Sequence, residues 1–266
     1  SNRLMDAPDA EWARARPGGS GDDGMDRAER PLPRRTLLGA AAASALPWPA
    51  VAAALVEPTL RLAPAPDGAP EAALTLDACL GGFDWRLARA LADARIPATI
   101  FAAGDWIARN PDAAAFLRAR ADLFAVENHG ARHLAPVIGG PGAYGQPSVG
   151  SLDGLAREVA NGARAVAALT GVEPRWFRGA TARYGADAIA AIEAMGSAIA
   201  GYSLNADAGA SLPAAAVARR VAQARAGDVI LGHINQPNRP AGQGLADGVL
   251  ALRARGIRIV RLPPPG

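Results

Sequence analysis

Three histidines occur in this 266-residue chain, and their positions are the first indication of chemistry. His129 and His133 stand four residues apart, so a helical turn there would turn both imidazoles to one face, a spacing able to hold one divalent ion. The third, His233, closes the apolar run Val229-Ile230-Leu231-Gly232, and Asp77 closes another, Ala73-Leu74-Thr75-Leu76. Arg178 follows Trp176-Phe177, and Asp207 lies just beyond Ser197–Ser203. Carboxylates and imidazoles take up and deliver protons, and a guanidinium can steer them. Each residue also has a plainer reading. Asp77 can cap the helix that follows, Arg178 can sit on the surface, an isolated H-x-x-x-H can satisfy loop backbone groups, and Asp228 reads as an ordinary turn residue. Position is what favours function, because these groups all fall at the ends of strand-like runs.

The elements that must position them alternate along the chain. Strand patterns cover Ala73–Asp77, Ala98–Ala102, Leu123–Glu127, Arg175–Arg178, Ser197–Ser203, Asp228–Gly232 and Arg258–Arg261. Helical patterns lie between them, at Phe83–Arg95, Asp112–Arg120, Leu152–Leu169, Ala186–Met195, Ala214–Arg225 and Leu245–Arg255. Ser151 suits a cap, Pro213 a first turn, and Gly171, Gly196, Gly227 and Gly256 follow helix ends. Strand–helix alternation predicts an α/β fold, a distorted β/α barrel of about seven parallel strands. In such a barrel the C-terminal strand ends share one rim, where Asp77, Asn128, His129, Arg178, Asp207 and His233 would converge. Gly139–Gly150 reads as a long Gly/Pro-rich loop able to cover that rim.

Composition narrows the partners. The chain is 50% hydrophobic and 20% charged, enough for one large α/β domain. Its 28 basic residues are all arginine and scattered, without a nucleic-acid-binding motif, so no nucleic-acid partner is expected. Residues 1–33 are expected to be disordered. Residues 34–54 carry Arg34-Arg35, a short apolar stretch and a small-residue end, the layout of a twin-arginine-like export signal for which Met25 is a natural start. Residues 55–71 read as a linker, and 72–266 as a catalytic domain. The expectation is an exported protein, periplasmic or extracellular, with no stable membrane span after signal removal. Oligomeric state is not legible.

Four segments, Leu74-Thr75-Leu76-Asp77-Ala78-Cys79, Asn128-His129-Gly130-Ala131-Arg132-His133, Trp176-Phe177-Arg178-Gly179 and Ile230-Leu231-Gly232-His233, resemble in order the motifs of the polysaccharide deacetylase (NodB homology) family, over roughly residues 72–262. The resemblance implies a NodB-like barrel and a metal-dependent hydrolase removing acetyl groups from an N-acetylated polysaccharide or oligosaccharide. It makes Asp77 the general base, Arg178 its orienting partner, and His129 and His133 metal ligands. His233 becomes the general acid, Asp207 the group holding its other ring nitrogen, and Leu231 part of the acetyl pocket. Trp176 and Tyr184 are added as substrate-binding candidates, and the implied ion is zinc by preference.

The departures from that pattern keep other readings open. The family places a second, metal-binding aspartate directly after the base, and here that position is Ala78. Asp77 itself, Glu127 or Cys79 could supply the missing ligand. Cys79 is the weakest of the three, since a cysteine at an apolar strand end is usually just buried. Gly130 replaces the usual Ser/Thr, and Gly179–Tyr184 replaces a shorter continuation. A catalytically altered sugar-binding protein on the same fold, or a hydrolase of a small C–N amide, are the alternatives. At 5% aromatic content a long stacking platform is not expected, although Trp85, Trp106, Trp176, Tyr144, Tyr184 and Tyr202 offer isolated contacts.

Overall fold

The computed structural model describes residues 54–266. The expected disordered segment and, apart from Ala54, the expected export signal lie outside the described residues. Elements follow in the order β1 (Glu71–Ala78), α1 (Trp85–Asp93), β2 (Ala98–Ala102), α2 (Gly104–Arg109), α3 (Pro111–Ala119), β3 (Phe124–Asn128), β4 (Ala135–Ile138), β5 (Ser148–Gly150) and α4 (Leu152–Thr170). Then come β6 (Trp176–Phe177), a 3-10 turn (Ala180–Ala182), α5 (Ala186–Ala194), β7 (Ala198–Ile199), β8 (Leu204–Asn205), α6 (Ala214–Ala222), β9 (Val229–His233), α7 (Ala241–Ala254) and β10 (Arg258–Val260).

Local chemistry sets several of these boundaries. Asp84 accepts hydrogen bonds from the amides of Arg86 and Leu87 at the start of α1, and the Ser151 hydroxyl accepts from Gly154 at the start of α4. Strand β1 is buried along nearly its whole length, the reason it reads as an apolar run rather than an alternation.

Seven strands run in the order β7-β6-β3-β2-β1-β9-β8, and β10 pairs with the start of β1. All of these pairings are parallel, giving a curled, open β/α barrel as the alternation predicts. Side-chain alternation divides the interior in two. Leu74, Leu76 and Ala78 of β1 pack in the layer beneath the helices, with Leu87, Leu91, Ile100, Leu245 and Val249. Ala73 belongs instead to an apolar plug within the barrel, with Phe101, Trp176, Ala200, Val229 and Leu262. The C-terminal residues close the plug from below, where Leu262 N donates to Thr99 Oγ1 at 2.9 Å and Trp176 Nε1 donates to Pro263 O at 2.8 Å.

Three features differ from the sequence expectation. Ser197–Ser203 is a strand only near its start, as β7, and the next strand, β8, begins just beyond it, because the chain between them leaves the sheet to pair with the segment 56–62. Those residues, expected as linker, form a strap across the gap between β7 and β8. Val56 and Tyr184 exchange two backbone hydrogen bonds of 2.8 and 2.9 Å, Pro58 and Leu60 bracket Tyr202, and Leu62 N donates to Gly227 O at 2.9 Å. The approach is close enough that a Cβ on Gly201 would lie 2.2 Å from Pro58 O. Asp228 is no ordinary turn residue either. It is buried and accepts hydrogen bonds from Arg61 Nη1 at 2.7 Å, Ser203 Oγ at 2.8 Å and Arg225 N at 2.7 Å, tying strap to sheet. The third difference is β4 and β5, a separate two-stranded ladder that shapes Gly139–Gly150.

Candidate active site

A cavity of about 480 Å³ opens at the C-terminal strand ends, lined among others by Asp77, Cys79, His133, Leu231 and His233. Asp77 of β1 is the direct register partner of His233 of β9, so one strand spacing separates a carboxylate from an imidazole. Behind Asp77 lies Arg178, fully buried just past β6. Its Nη1 donates to Asp77 Oδ1 and to Thr75 Oγ1, each at 2.9 Å, while Nε and Nη2 donate to the carbonyls of Ala200 and Gly201 at 3.1 Å. The guanidinium also stacks over Phe101, 4.2 Å from the ring centroid. Burial works against ionisation of Asp77, but the charges of Arg178, His129 and His233 outweigh it and hold the carboxyl below the ordinary carboxylate range.

Opposite this pair, the order of charge is inverted. His233 Nδ1 donates to Asp207 Oδ1 at 2.8 Å, and Asp207 Oδ2 accepts from His233 N at 2.8 Å, so the fully buried carboxylate fixes both ring and backbone. Burial disfavours the imidazolium, yet Asp207, with Cys79, raises the His233 pKa well above its ordinary value. Because Nδ1 is committed to Asp207, Nε2 is the nitrogen left for the cavity.

The histidine pair sits on the loop after β3. His129 Nδ1 donates to Arg178 O at 2.6 Å, leaving Nε2 3.4 Å from Cys79 Sγ and 3.8 Å from Asp77 Oδ2. The ring centroids of His129 and His133 lie 4.8 Å apart. No helix turns them together. The loop doubles back through Gly130 at φ 81° and His133 at φ 61°, held by Glu158 of α4. Glu158 Oε1 accepts from Arg132 N at 2.9 Å and Leu134 N at 3.0 Å, and a Cβ on Gly130 would come 2.4 Å from it, which accounts for glycine where Ser/Thr was expected.

A divalent ion fits this loop. His133 is 8% exposed, and its Nε2 is buried without a hydrogen-bond partner among the described residues. One donor atom each from Cys79, His129 and His133 lies within 4.8 Å of the others. Burial opposes ionisation of the Cys79 thiol, but the surrounding His129, His133 and His233 hold its pKa well below the ordinary thiol value. Asp77 is not part of this cluster, its Oδ1 being engaged by Arg178. Glu127 faces another way, accepting from the amides of Arg175 and Trp176 at 2.9 Å.

The substrate-binding candidates divide. Leu231 lines the cavity. Trp176 does not; it shares the barrel-facing side of its strand with Arg178 but lies two residues lower, in the plug. Tyr184 is fully buried behind the wall, its hydroxyl accepting from Gly179 N at 2.8 Å. Trp85 and Trp106 pack with the helices. Tyr144 and Tyr202 do line the cavity, together with Gln146 from the Gly139–Gly150 loop and Glu57 from the strap. Burial and a hydrogen bond to Glu57 push the Tyr202 hydroxyl up to about 12. The sequence reading passed over Glu57 and Glu158, and a lone glutamate in a linker-like or helical pattern carries no signal that separates it from a solvated one.

No curated protein matches the chain in sequence. Among solved structures, a CE4 family pseudoenzyme from Bacillus anthracis superposes with a TM-score of 0.60 at 17% identity, over 76% of this chain and 66%, just under two thirds, of that longer one. A family 4 carbohydrate esterase from Streptomyces lividans in complex with acetate gives 0.58 at 21% identity, over 73% of this chain and 94% of that one. A family 4 acetyl xylan esterase from Clostridium thermocellum in complex with cobalt gives 0.57 at 21%, over 71% and 87%. At such identities the likeness establishes the fold. Residues 65–200, just over half of the chain, match the family described as Polysaccharide deacetylase. With its barrel, its motif order and its matched residues in agreement, the chain belongs to the polysaccharide deacetylase family.

Proposed function

We propose that this protein is a metal-dependent hydrolase that removes acetyl groups from an N-acetylated polysaccharide or oligosaccharide outside the cytoplasm. The observation that carries the reading is the register pairing of Asp77 with His233, each backed by a buried group of opposite charge. A base and an acid on neighbouring strands suit a reaction in which a proton leaves water at one point and reaches an amine at another. The placement outside the cytoplasm rests on Arg34-Arg35 and the short apolar stretch after it.

His129 and His133 would hold a divalent ion, zinc in our reading, which would supply a Lewis acid able to polarise the acetamide carbonyl and acidify water. Arg178 keeps Asp77 ionised and pins Oδ1, so Oδ2 accepts the proton of the attacking water. Water oxygen adds to the acetyl carbon and a tetrahedral intermediate forms. His233, protonated through Asp207, donates from Nε2 to the sugar nitrogen; the C–N bond breaks, acetate leaves, and a free amine remains. Leu231, two residues before His233 on the same strand face, offers the apolar contact for the acetyl methyl. Tyr144 and Tyr202 are the ring faces available to the sugar.

Ala78 favours a second reading, a sugar-binding protein that has lost turnover, and one experiment separates the two. The metal content of the purified protein is measured together with acetate release from N-acetylglucosamine oligomers, before and after chelation. Chelator-sensitive acetate release is the expected result. Glycan binding with no acetate release under any divalent ion overturns the hydrolase in favour of the binding protein.

A further inference from the structure

We infer that Cys79 supplies the third protein ligand to the metal, so that the site is a thiolate–dihistidine centre and not the carboxylate–dihistidine centre of the family pattern. The inference rests on the metal-dependent reading above and concerns which atom completes the site. It begins with the strand. Successive side chains of β1 alternate, and Ala78 points into the helix layer with Leu74 and Leu76. Cys79 and Asp77, two apart, turn to the cavity. In this chain position 78 lies in the helix layer, and position 79 lines the cavity.

The surroundings point the same way. Cys79 Sγ lies 3.4 Å from His129 Nε2, whose partner nitrogen is tied to Arg178 O at 2.6 Å, fixing the tautomer that offers Nε2 as a ligand. His133 is buried with its Nε2 unpartnered, and one of its ring nitrogens completes the group of donors within 4.8 Å. Among the carboxylates that could compete, Glu127 is engaged by the amides of Arg175 and Trp176 and Glu158 by the amides of Arg132 and Leu134, while Asp77, with Oδ1 held by Arg178, stands outside the group of three donors. Two imidazoles and one thiolate, with a position left open, have the ligand types and the count of three protein donors that catalytic zinc sites use. Thiolate ligation also selects zinc over magnesium, calcium or manganese, which prefer oxygen. Asp77 is thereby left free for proton transfer.

X-ray absorption at the zinc edge, on the zinc-loaded full chain, tests this without a variant. The expected spectrum has one sulfur at about 2.3 Å beside nitrogen and oxygen at about 2.0–2.1 Å. Cys79 is the only cysteine, and Cys79→Ser should erase the sulfur shell and weaken zinc binding by at least the ~10–100-fold that loss of an outer partner costs. A nitrogen/oxygen-only shell in the wild type overturns the inference, as does a sulfur shell that survives in Cys79→Ser. Acetate release, read in parallel, keeps the two proposals apart. A sulfur shell without acetate upholds the thiolate and fells the hydrolase, whereas acetate release with oxygen and nitrogen alone does the reverse. A protein that takes up neither zinc nor any other divalent ion overturns both.

Discussion

The two walls of the cavity solve one electrostatic problem with opposite signs. On the β1 side a carboxylate, Asp77, faces the cavity and a buried guanidinium stands behind it; on the β9 side an imidazole, His233, faces the cavity and a buried carboxylate stands behind it. Both rear groups, Arg178 and Asp207, are fully buried. Their difference teaches what burial is for here. Desolvation alone would neutralise both front groups, pushing Asp77 up and His233 down, and each rear charge reverses that tendency. One wall is thus kept deprotonated and the other protonated, the condition for base and acid to act side by side at neutral pH.

The sharpest way to break this arrangement is at a front group. Asp77→Asn keeps the shape but cannot accept a proton, and acetate release should fall by about 10²–10⁴-fold with the circular dichroism spectrum unchanged; near-normal turnover would remove Asp77 from the role of base. Next comes its rear group. Arg178→Met leaves a buried carboxylate unpaired, at about 3–5 kcal/mol of stability near neutral pH. The sign with pH follows from the pair. The wild-type Asp77 pKa is depressed, so its stabilising contribution is present above the ordinary carboxylate range and is lost as pH falls through the folded value. In the variant burial raises that pKa, so thermal melts should show the gap to wild type narrowing as pH falls; a constant gap would contradict the pairing.

The opposite wall should give a subtler result. Asp207→Asn removes the charge that raises His233, so the basic limb of the pH–rate profile should move to lower pH while its acid limb stays in place. An unmoved basic limb would separate His233 from the acid step. The smallest effect is expected at Glu158→Ala, which leaves the amides of Arg132 and Leu134 without their acceptor and should cost about 1–3 kcal/mol by denaturant melt. A variant as stable as wild type would show that the histidine loop holds its shape unaided.

Much of this was legible in the sequence, for identifiable reasons. β2 and α4 carry strong local signals, an apolar β-branched run and a Ser-capped, Gly-ended helix, and both fall within a residue of where the pattern puts them. The rim residues were legible because strand ends in a β/α barrel share one face. What was not legible depends on direction and distance. Cys79 reads as a buried strand-end cysteine until the structure shows it, just past β1, facing the cavity. Trp176 and Tyr184 sit near motif residues in sequence, yet one lies a layer too low and the other behind the wall. The pairing of Asp228 with Arg61 spans 167 positions, and no local pattern reports it.

That last contact carries a consequence for how the domain assembles. The strap is made early in the chain, but its anchors, Tyr184, Tyr202 and Asp228, are made late. Loop closure over such separations is slow and entropically costly, so docking of residues 56–62 is expected to be among the last events in folding and among the first to reverse in native-state hydrogen exchange. Since Glu57 forms part of the cavity wall, the substrate site is unfinished until that step is complete. A fragment trimmed to begin at Ala72, where the strand pattern starts, would keep every residue of the proton-transfer pairs and still lack one side of the vessel that holds the sugar.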